Sequence, residues 1–201
     1  MCQVTQEIRL QPGDALIIVD VQNDFCPGGA LAVPQGDQVV PVLNRWIEEF
    51  HRRGLPVVYT QDWHPQGHCS FRDQGGPWPV HCVQDTPGAA FHPDLLVKGE
   101  IFRKAYLPEP DAYSGMEARR VQDGRLQEDQ PLPRWLREQG VRRVLVGGLA
   151  TDYCVRATVL DALREGFQVV VLRDGVRAVD VQPGDGERAL REMAEAGAVI
   201  A

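Results

Sequence analysis

The sequence predicts one α/β domain over residues 1–201, a three-layer α/β/α arrangement around a mainly parallel central sheet. Three observations predict it. Short, continuous, β-branched apolar runs recur along the chain, as in strands covered on both faces. Stretches with helical spacing of apolar residues separate them. The alternation runs from end to end, which favours one doubly wound sheet over separate units. A chain of 201 residues is long enough for a sizeable core. Its net charge of −7 argues against nucleic acid or an anionic membrane as a partner. No apolar run approaches a membrane span, and the first residues lack the pattern of a secretory signal. Five cysteines, an odd number, read as reduced thiols in a cytoplasmic protein.

The first strand is Ala15–Val19, ending at Asp20. A carboxylate at the C-terminal end of a buried parallel strand lies where open α/β sheets hold their ligands. Asp37 is a plausible N-cap for a helix whose apolar face is Val40, Leu43, Ile47 and Phe50 and whose stop is Gly54. Leu55–Thr60 reads as the second strand. Strand, helix, strand implies a right-handed crossover. Glu100–Arg103 is a short strand ending at Lys104, and Leu95–Val97 leads to Lys98. Residues 117–130 are highly charged and read as surface helix or loop. A short helix over 133–139 precedes the strand Val144–Gly147. Cys154 follows, where that strand hands over to a helix closed by Gly166. The strand Phe167–Leu172, a helix over 187–196 and a terminal strand over 198–200 complete the chain. Neither a Gly-x-Gly-x-x-Gly nor a Gly-x-x-x-x-Gly-Lys-Ser/Thr segment is present, which argues against dinucleotide and phosphate-loop folds.

Residues 61–93 form a long irregular stretch holding Asp62, His64, His68, His81 and His92, four of the chain's five histidines among them. A loop this long inside a compact domain is usually functional. Asp62 and His64 fall on one side of an extended segment, because side chains repeat every second residue. With His81 arriving later, they would suit one divalent ion: zinc, iron or manganese. Two plainer readings stand beside this one. The residues would be polar loop groups bonded to backbone, or Cys69 and Cys82 would hold a structural zinc with histidines. The cysteine spacing fits no zinc-finger pattern.

Asp20, a lysine at 98 or 104, and Cys154 all sit at C-terminal strand ends, which share one edge of a parallel sheet. The helix N-terminus is expected to lower the Cys154 thiol pKa and to hold an oxyanion. As a unit, Asp20 would take the thiol proton, the lysine would favour the thiolate, and Cys154 would attack a carbonyl. That is amide hydrolysis without a histidine base.

Five segments carry a family resemblance: Asp20–Phe25, Asp62–Pro65, Pro77–Cys82, Asp111–Gly115 and Gly148–Val155. Together they resemble the nicotinamidase branch of the isochorismatase-like cysteine hydrolases, over nearly the whole chain. The resemblance implies a catalytic trio of Asp20, Lys104 and Cys154. Lys104 is taken over Lys98 for its spacing to the Asp111–Gly115 segment. It implies one divalent metal held by Asp62, His64 and His81, with His68 a fourth ligand in some members. It implies Phe25 and Trp78 around a pyridine ring, Tyr113 and Leu149 in the pocket wall, and an oxyanion hole from the N–H groups of Ala150 and Cys154. A cis bond is implied between Leu149 and Ala150. The expected substrate is the small molecule nicotinamide, cleaved to nicotinate and ammonia. A related carbamoyl or ureido amidase is the alternative. A homo-oligomer is left open.

Overall fold

The computed structural model describes residues 8–201, so the first seven residues of the stretch read for a secretory signal lie outside the described residues. Among the described residues, eight strands form one sheet in the order β5-β4-β3-β2-β1-β6-β7-β8. Six run parallel: β1 (Asp14–Val19), β2 (Val57–Asp62), β3 (Glu100–Lys104), β6 (Arg143–Leu149), β7 (Gln168–Arg177) and β8 (Val199–Ile200). Two are antiparallel, β4 (Arg119–Gln122) and β5 (Arg125–Pro131). No helix among the described residues is long and apolar enough to cross a membrane.

The continuous apolar runs are explained by cover on both faces. Along β1, Ala15, Ile17 and Val19 pack into one core, and Leu16 and Ile18 into the other. The first core takes its lid from α2 (Leu132–Glu138), α3 (Arg156–Arg164) and α4 (Asp185–Glu195). The second is covered by α1 (Val39–Arg52), through Val40, Leu43, Ile47 and Phe50, and by residues of the long loop such as Cys82, Ala89 and Leu95. The loop thus serves as part of a layer. Truncating the fully buried Leu43 to alanine would cost about 2–5 kcal/mol.

Three local expectations are corrected. Residues 119–131 are a hairpin, not helix or loop; its turn, Asp123-Gly124, has both residues at positive φ, 50° and 74°. An Asp-Gly pair suits that turn, which offsets the weak, half-exposed strands on either side. β2 starts two residues later than read, after Pro56, and carries Asp62 as its last residue. Asp37 lies inside a 3₁₀ turn, Gly36–Gln38, and makes no side-chain cap to α1.

The topology decides where chemistry can occur. From β1 the chain moves outward through β2 and β3; from β6 it moves the opposite way through β7 and β8. The crevice beyond the carboxyl ends of β1 and β6 is therefore the switch point, where such sheets bind ligands. Gly148, at φ 123°, brings β6 hard against β1 there: a Cβ would collide with the Val19 carbonyl.

Candidate active site

Asp20 is the residue after β1, Asp62 and Lys104 face each other as register partners at the ends of β2 and β3, and Cys154 follows β6. All four side chains meet. Lys104 Nζ lies 3.0 Å from Asp20 Oδ2 and 3.5 Å from Cys154 Sγ, donates to the Ala112 carbonyl at 3.2 Å, and forms an ion pair with Asp62 Oδ1. The lysine is 1 % exposed, Asp20 0 % and Cys154 6 %. A buried ammonium needs such partners. The other lysine, Lys98, is exposed on the surface.

The charges follow from this packing. Burial alone would push the Lys104 ammonium down, but Asp20, Asp62 and then Cys154 hold it well above its ordinary value. Burial raises the Asp20 carboxyl even against the pull of Lys104. For Asp62, burial is overruled by Lys104 and then by the histidines, which hold it far below the usual carboxylate range. Burial also pushes the Cys154 thiol well up; Lys104 pulls back, and Asp20 and Asp62 push further. The expectation of a lowered thiol pKa therefore fails. Cys154 sits within a π-helical turn, Thr151–Val155, ahead of α3, and two carboxylates lie nearby. Asp20 Oδ2 is a buried oxygen with no aligned hydrogen bond, despite its nearness to the ammonium.

Beside this cluster, ligand atoms of Asp62, His64 and His81 lie within 4.8 Å of one another. Two bonds of about 2.1 Å at a tetrahedral angle span about 3.4 Å, so an inward shift would let these residues share a divalent cation. Their support suits the role. His64 Nδ1 is 3.2 Å from the Ala105 carbonyl and His81 Nδ1 is 2.7 Å from the Pro79 carbonyl. Each donates from Nδ1 and leaves Nε2 as the free electron pair. Asp62 divides its oxygens, Oδ1 toward Lys104 and Oδ2 at 3.6 Å from His64 Nε2. Burial lowers the pKa of His81, and keeps that of His68 down to about 4, so both are neutral near pH 7.

His68 stands apart from that group. Its ring stacks on His64 at 4.1 Å between centroids, and its Nδ1 meets both the Ser70 hydroxyl at 2.8 Å and the Ser70 N–H at 3.3 Å. Its Nε2 is buried and unpartnered among the described residues. Cys69, Cys82 and His92 do not join the donor group either.

A cavity opens onto both clusters, meeting the first at Cys154 and the second at Asp62, His64 and His81. Phe25, Trp78, Tyr113 and Leu149 all line it, as do Ala150, Cys154, Asp62, His64 and His81. Trp78 Nε1 donates to Tyr113 OH at 2.8 Å, which ties two walls together. The Leu149–Ala150 bond is cis.

The isochorismatase domain family matches residues 14–201. The chain belongs to the isochorismatase family. It is 45 % identical to the nicotinamidase of Escherichia coli K12, over 94 % of each chain. Among solved structures it resembles the pyrazinamidase of Pyrococcus horikoshii in complex with zinc, with a TM-score of 0.84 and 50 % identity over 94 % of this chain and 99 % of that one. It also resembles PnC1 of L. infantum in complex with nicotinate, with a TM-score of 0.82 and 39 % identity over 94 % and 92 % of the two chains.

Within this isochorismatase-family site, several contributors escape a reading of the sequence. Gln22 is fully buried and clasps Asp62 from both sides: its Nε2 donates to the Asp62 carbonyl at 2.8 Å, and its Oε1 accepts the Asp62 N–H at 2.9 Å. Asp24 accepts the Cys82 N–H at 2.7 Å, fixing the residue next to His81. Tyr153 and Val179 line the cavity as well. Asp152 holds Val179 in place by accepting the N–H groups of Val179 and Asp180, both at 2.9 Å. The signals for Gln22 and Asp24 were their position just after a strand end and their place in the Asp20–Phe25 segment that carries the resemblance, neither of which names their partners.

Proposed function

We propose that this protein hydrolyses nicotinamide to nicotinate and ammonia through a thioester on Cys154. The observation that carries the proposal is one aromatic-lined cavity lined both by Cys154, which Lys104 and Asp20 back from beneath, and by the Asp62–His64–His81 donor set. The relatives' names, nicotinamidase and pyrazinamidase, and the neighbour solved with nicotinate support the choice of a pyridine or pyrazine amide.

The pyridine ring enters between apolar and aromatic walls that include Phe25 and Trp78, where stacking favours a flat ring. Asp62, His64 and His81 would hold a divalent metal, and the neighbour solved with zinc supports one; when bound, it supplies a Lewis-acidic point for the ring nitrogen. His68 serves as a support beneath His64 or as a further ligand. The neutral Cys154 thiol gives its proton to Asp20 Oδ2 as sulfur attacks the amide carbon. Lys104 stays charged throughout and stabilises the thiolate as it forms. The N–H groups of Ala150 and Cys154 receive the oxyanion. Asp20 then protonates the leaving nitrogen, ammonia departs, and the C–N bond is replaced by a C–S bond. Water, deprotonated by Asp20, attacks the thioester and releases the acid. Four free thiols among the described residues suit a reducing cytoplasmic setting.

Ammonia release from nicotinamide, measured with and without chelator alongside elemental analysis, tests the proposal. Turnover that falls on metal removal is the expected result. Wild-type turnover in Cys154→Ala would overturn the chemistry. A metal-loaded protein with no turnover would move the assignment to a different amide, and a metal-free one would favour a carbamoyl or ureido substrate.

A further inference from the structure

Two fully buried threonines, Thr60 and Thr158, play no part in the chemistry above, yet each holds one of its reacting groups. Thr60, on β2, donates its hydroxyl to Asp20 Oδ1 at 2.6 Å, and its carbonyl accepts the Asp20 N–H at 3.2 Å. Thr158, on α3, donates its hydroxyl to the Cys154 carbonyl at 2.6 Å. The same hydroxyl accepts the Gly115 N–H at 2.8 Å. Gly115 lies between the two threonines: a Cβ there would stand 3.0 Å from Thr60 Cγ2, 3.2 Å from Thr158 Oγ1 and 3.4 Å from Thr158 Cγ2.

We propose that Thr60, Gly115 and Thr158 form a buried bridge that sets the distance and orientation of Asp20 relative to Cys154. All three are positioning residues. The inference rests on the proposed roles of Asp20 and Cys154. Thr60 has one hydroxyl proton and spends it on Oδ1, which turns Oδ2 toward Lys104 and the thiol. Asp20 needs that restraint, because its φ of 46° is a left-handed conformation that a non-glycine residue keeps only when its surroundings fix it. Thr158 fixes the other partner by holding the backbone of the turn that carries the sulfur. Gly115 keeps the two restraints close, since a Cβ there would press on both threonines and push at least one aside by a few tenths of an ångström. An error of about 1 Å in such a pair lowers a rate by about 10²-fold.

The test uses Thr60→Val, Thr158→Val and Gly115→Ala, with Thr60→Ser and Thr158→Ser as conservative partners. Two quantities are read: kcat and KM for nicotinamide, and the rate at which iodoacetamide alkylates Cys154, located by peptide mass. The valine and alanine variants are expected to lose about 10-fold or more in kcat with KM near wild type. Their Cys154 alkylation should slow in parallel, and the serine variants, which keep the hydroxyl, should recover both. Thr60→Val and Thr158→Val should also combine less than multiplicatively, because they act on one spacing. Valine variants with wild-type kcat and alkylation would overturn the bridge. So would serine variants that lose as much as valine, since a methyl-packing role would then suffice. If one variant fails to fold, the other two positions still decide. Retained turnover in Cys154→Ala would sink the proposed chemistry, whereas the alkylation arm judges the bridge on proteins that keep Cys154.

Discussion

Asp20, Lys104 and Cys154 come from three strand ends far apart in the chain, whereas His64 and His81 come from one irregular stretch. The trio inherits its geometry from backbone ladders: Asp62 opposite Lys104, and Gly148 opposite Val19. The histidines have only a trace of such a frame, a single isolated parallel bridge between His64 and Val83. They are set one by one, by Nδ1 bonds to carbonyls and by Gln22 and Asp24 reaching across from the first strand's end. The difference teaches that a sheet brings reacting residues together through its ladders and leaves single hydroxyls, those of Thr60 and Thr158, to trim their orientation, while a loop fixes its ligands mainly by individual anchors. Asp62 belongs to both constructions, one oxygen on each side.

Variants can separate the two halves. The largest effect is expected from Cys154→Ala: ammonia release should fall by at least about 10³-fold while metal content, read by elemental analysis, stays at the wild-type level. A loss of metal in that variant would break the division. His64→Ala should reverse the pattern. Bound metal is lost and turnover falls by at least about 10–100-fold, the loss that follows removal of a ligand's supporting partner, yet iodoacetamide still labels Cys154. Asp24→Ala attacks the loop's anchorage alone. It leaves the Cys82 N–H, and the Ala30 N–H that Asp24 accepts at 3.1 Å, without their acceptor, and should destabilise the fold by about 1–3 kcal/mol. Metal titration should show weaker binding and thermal unfolding a lower midpoint. The smallest effect belongs to Glu49→Gln on α1, remote from both halves. The Glu49 carboxyl is held below its ordinary value by hydrogen bonds from Arg52 and then Arg53. A depressed carboxyl contributes stability above its unfolded pKa and loses it as pH falls through the folded one. The variant should therefore melt slightly lower at pH 7 and match wild type in acid, with metal and turnover unchanged.

The same contrast explains what could be read from the chain alone. Continuous runs such as Ala15–Val19 and Val144–Val146 announce buried parallel strands, and a polar residue at such a run's end is conspicuous. Asp20 and Cys154 were legible for that reason, and so was the α/β architecture. Asp62, His64 and His81 were legible by residue type and spacing. Their anchors were not. The Gln22–Asp62 contact spans 40 residues and the Asp24–Cys82 contact 58, and no local pattern encodes either. The hairpin at 119–131 was hidden because its strands carry almost no apolar residues; only Asp123-Gly124 marked it. The raised thiol pKa of Cys154 was hidden too. It depends on depth and on neighbouring carboxylates, which outweigh the helix-terminus effect that the sequence suggests.

The composition of β5 and the shortness of β8 have a consequence for the protein outside its reaction. These two strands are the margins of the sheet. β5 carries Arg125, Glu128 and Asp129 and ends on Pro131, while β8 is two residues long. A neighbouring chain that tried to extend the sheet would have to desolvate charges at one margin and would find almost no backbone to pair with at the other. Both margins thus discourage edge-to-edge pairing between copies.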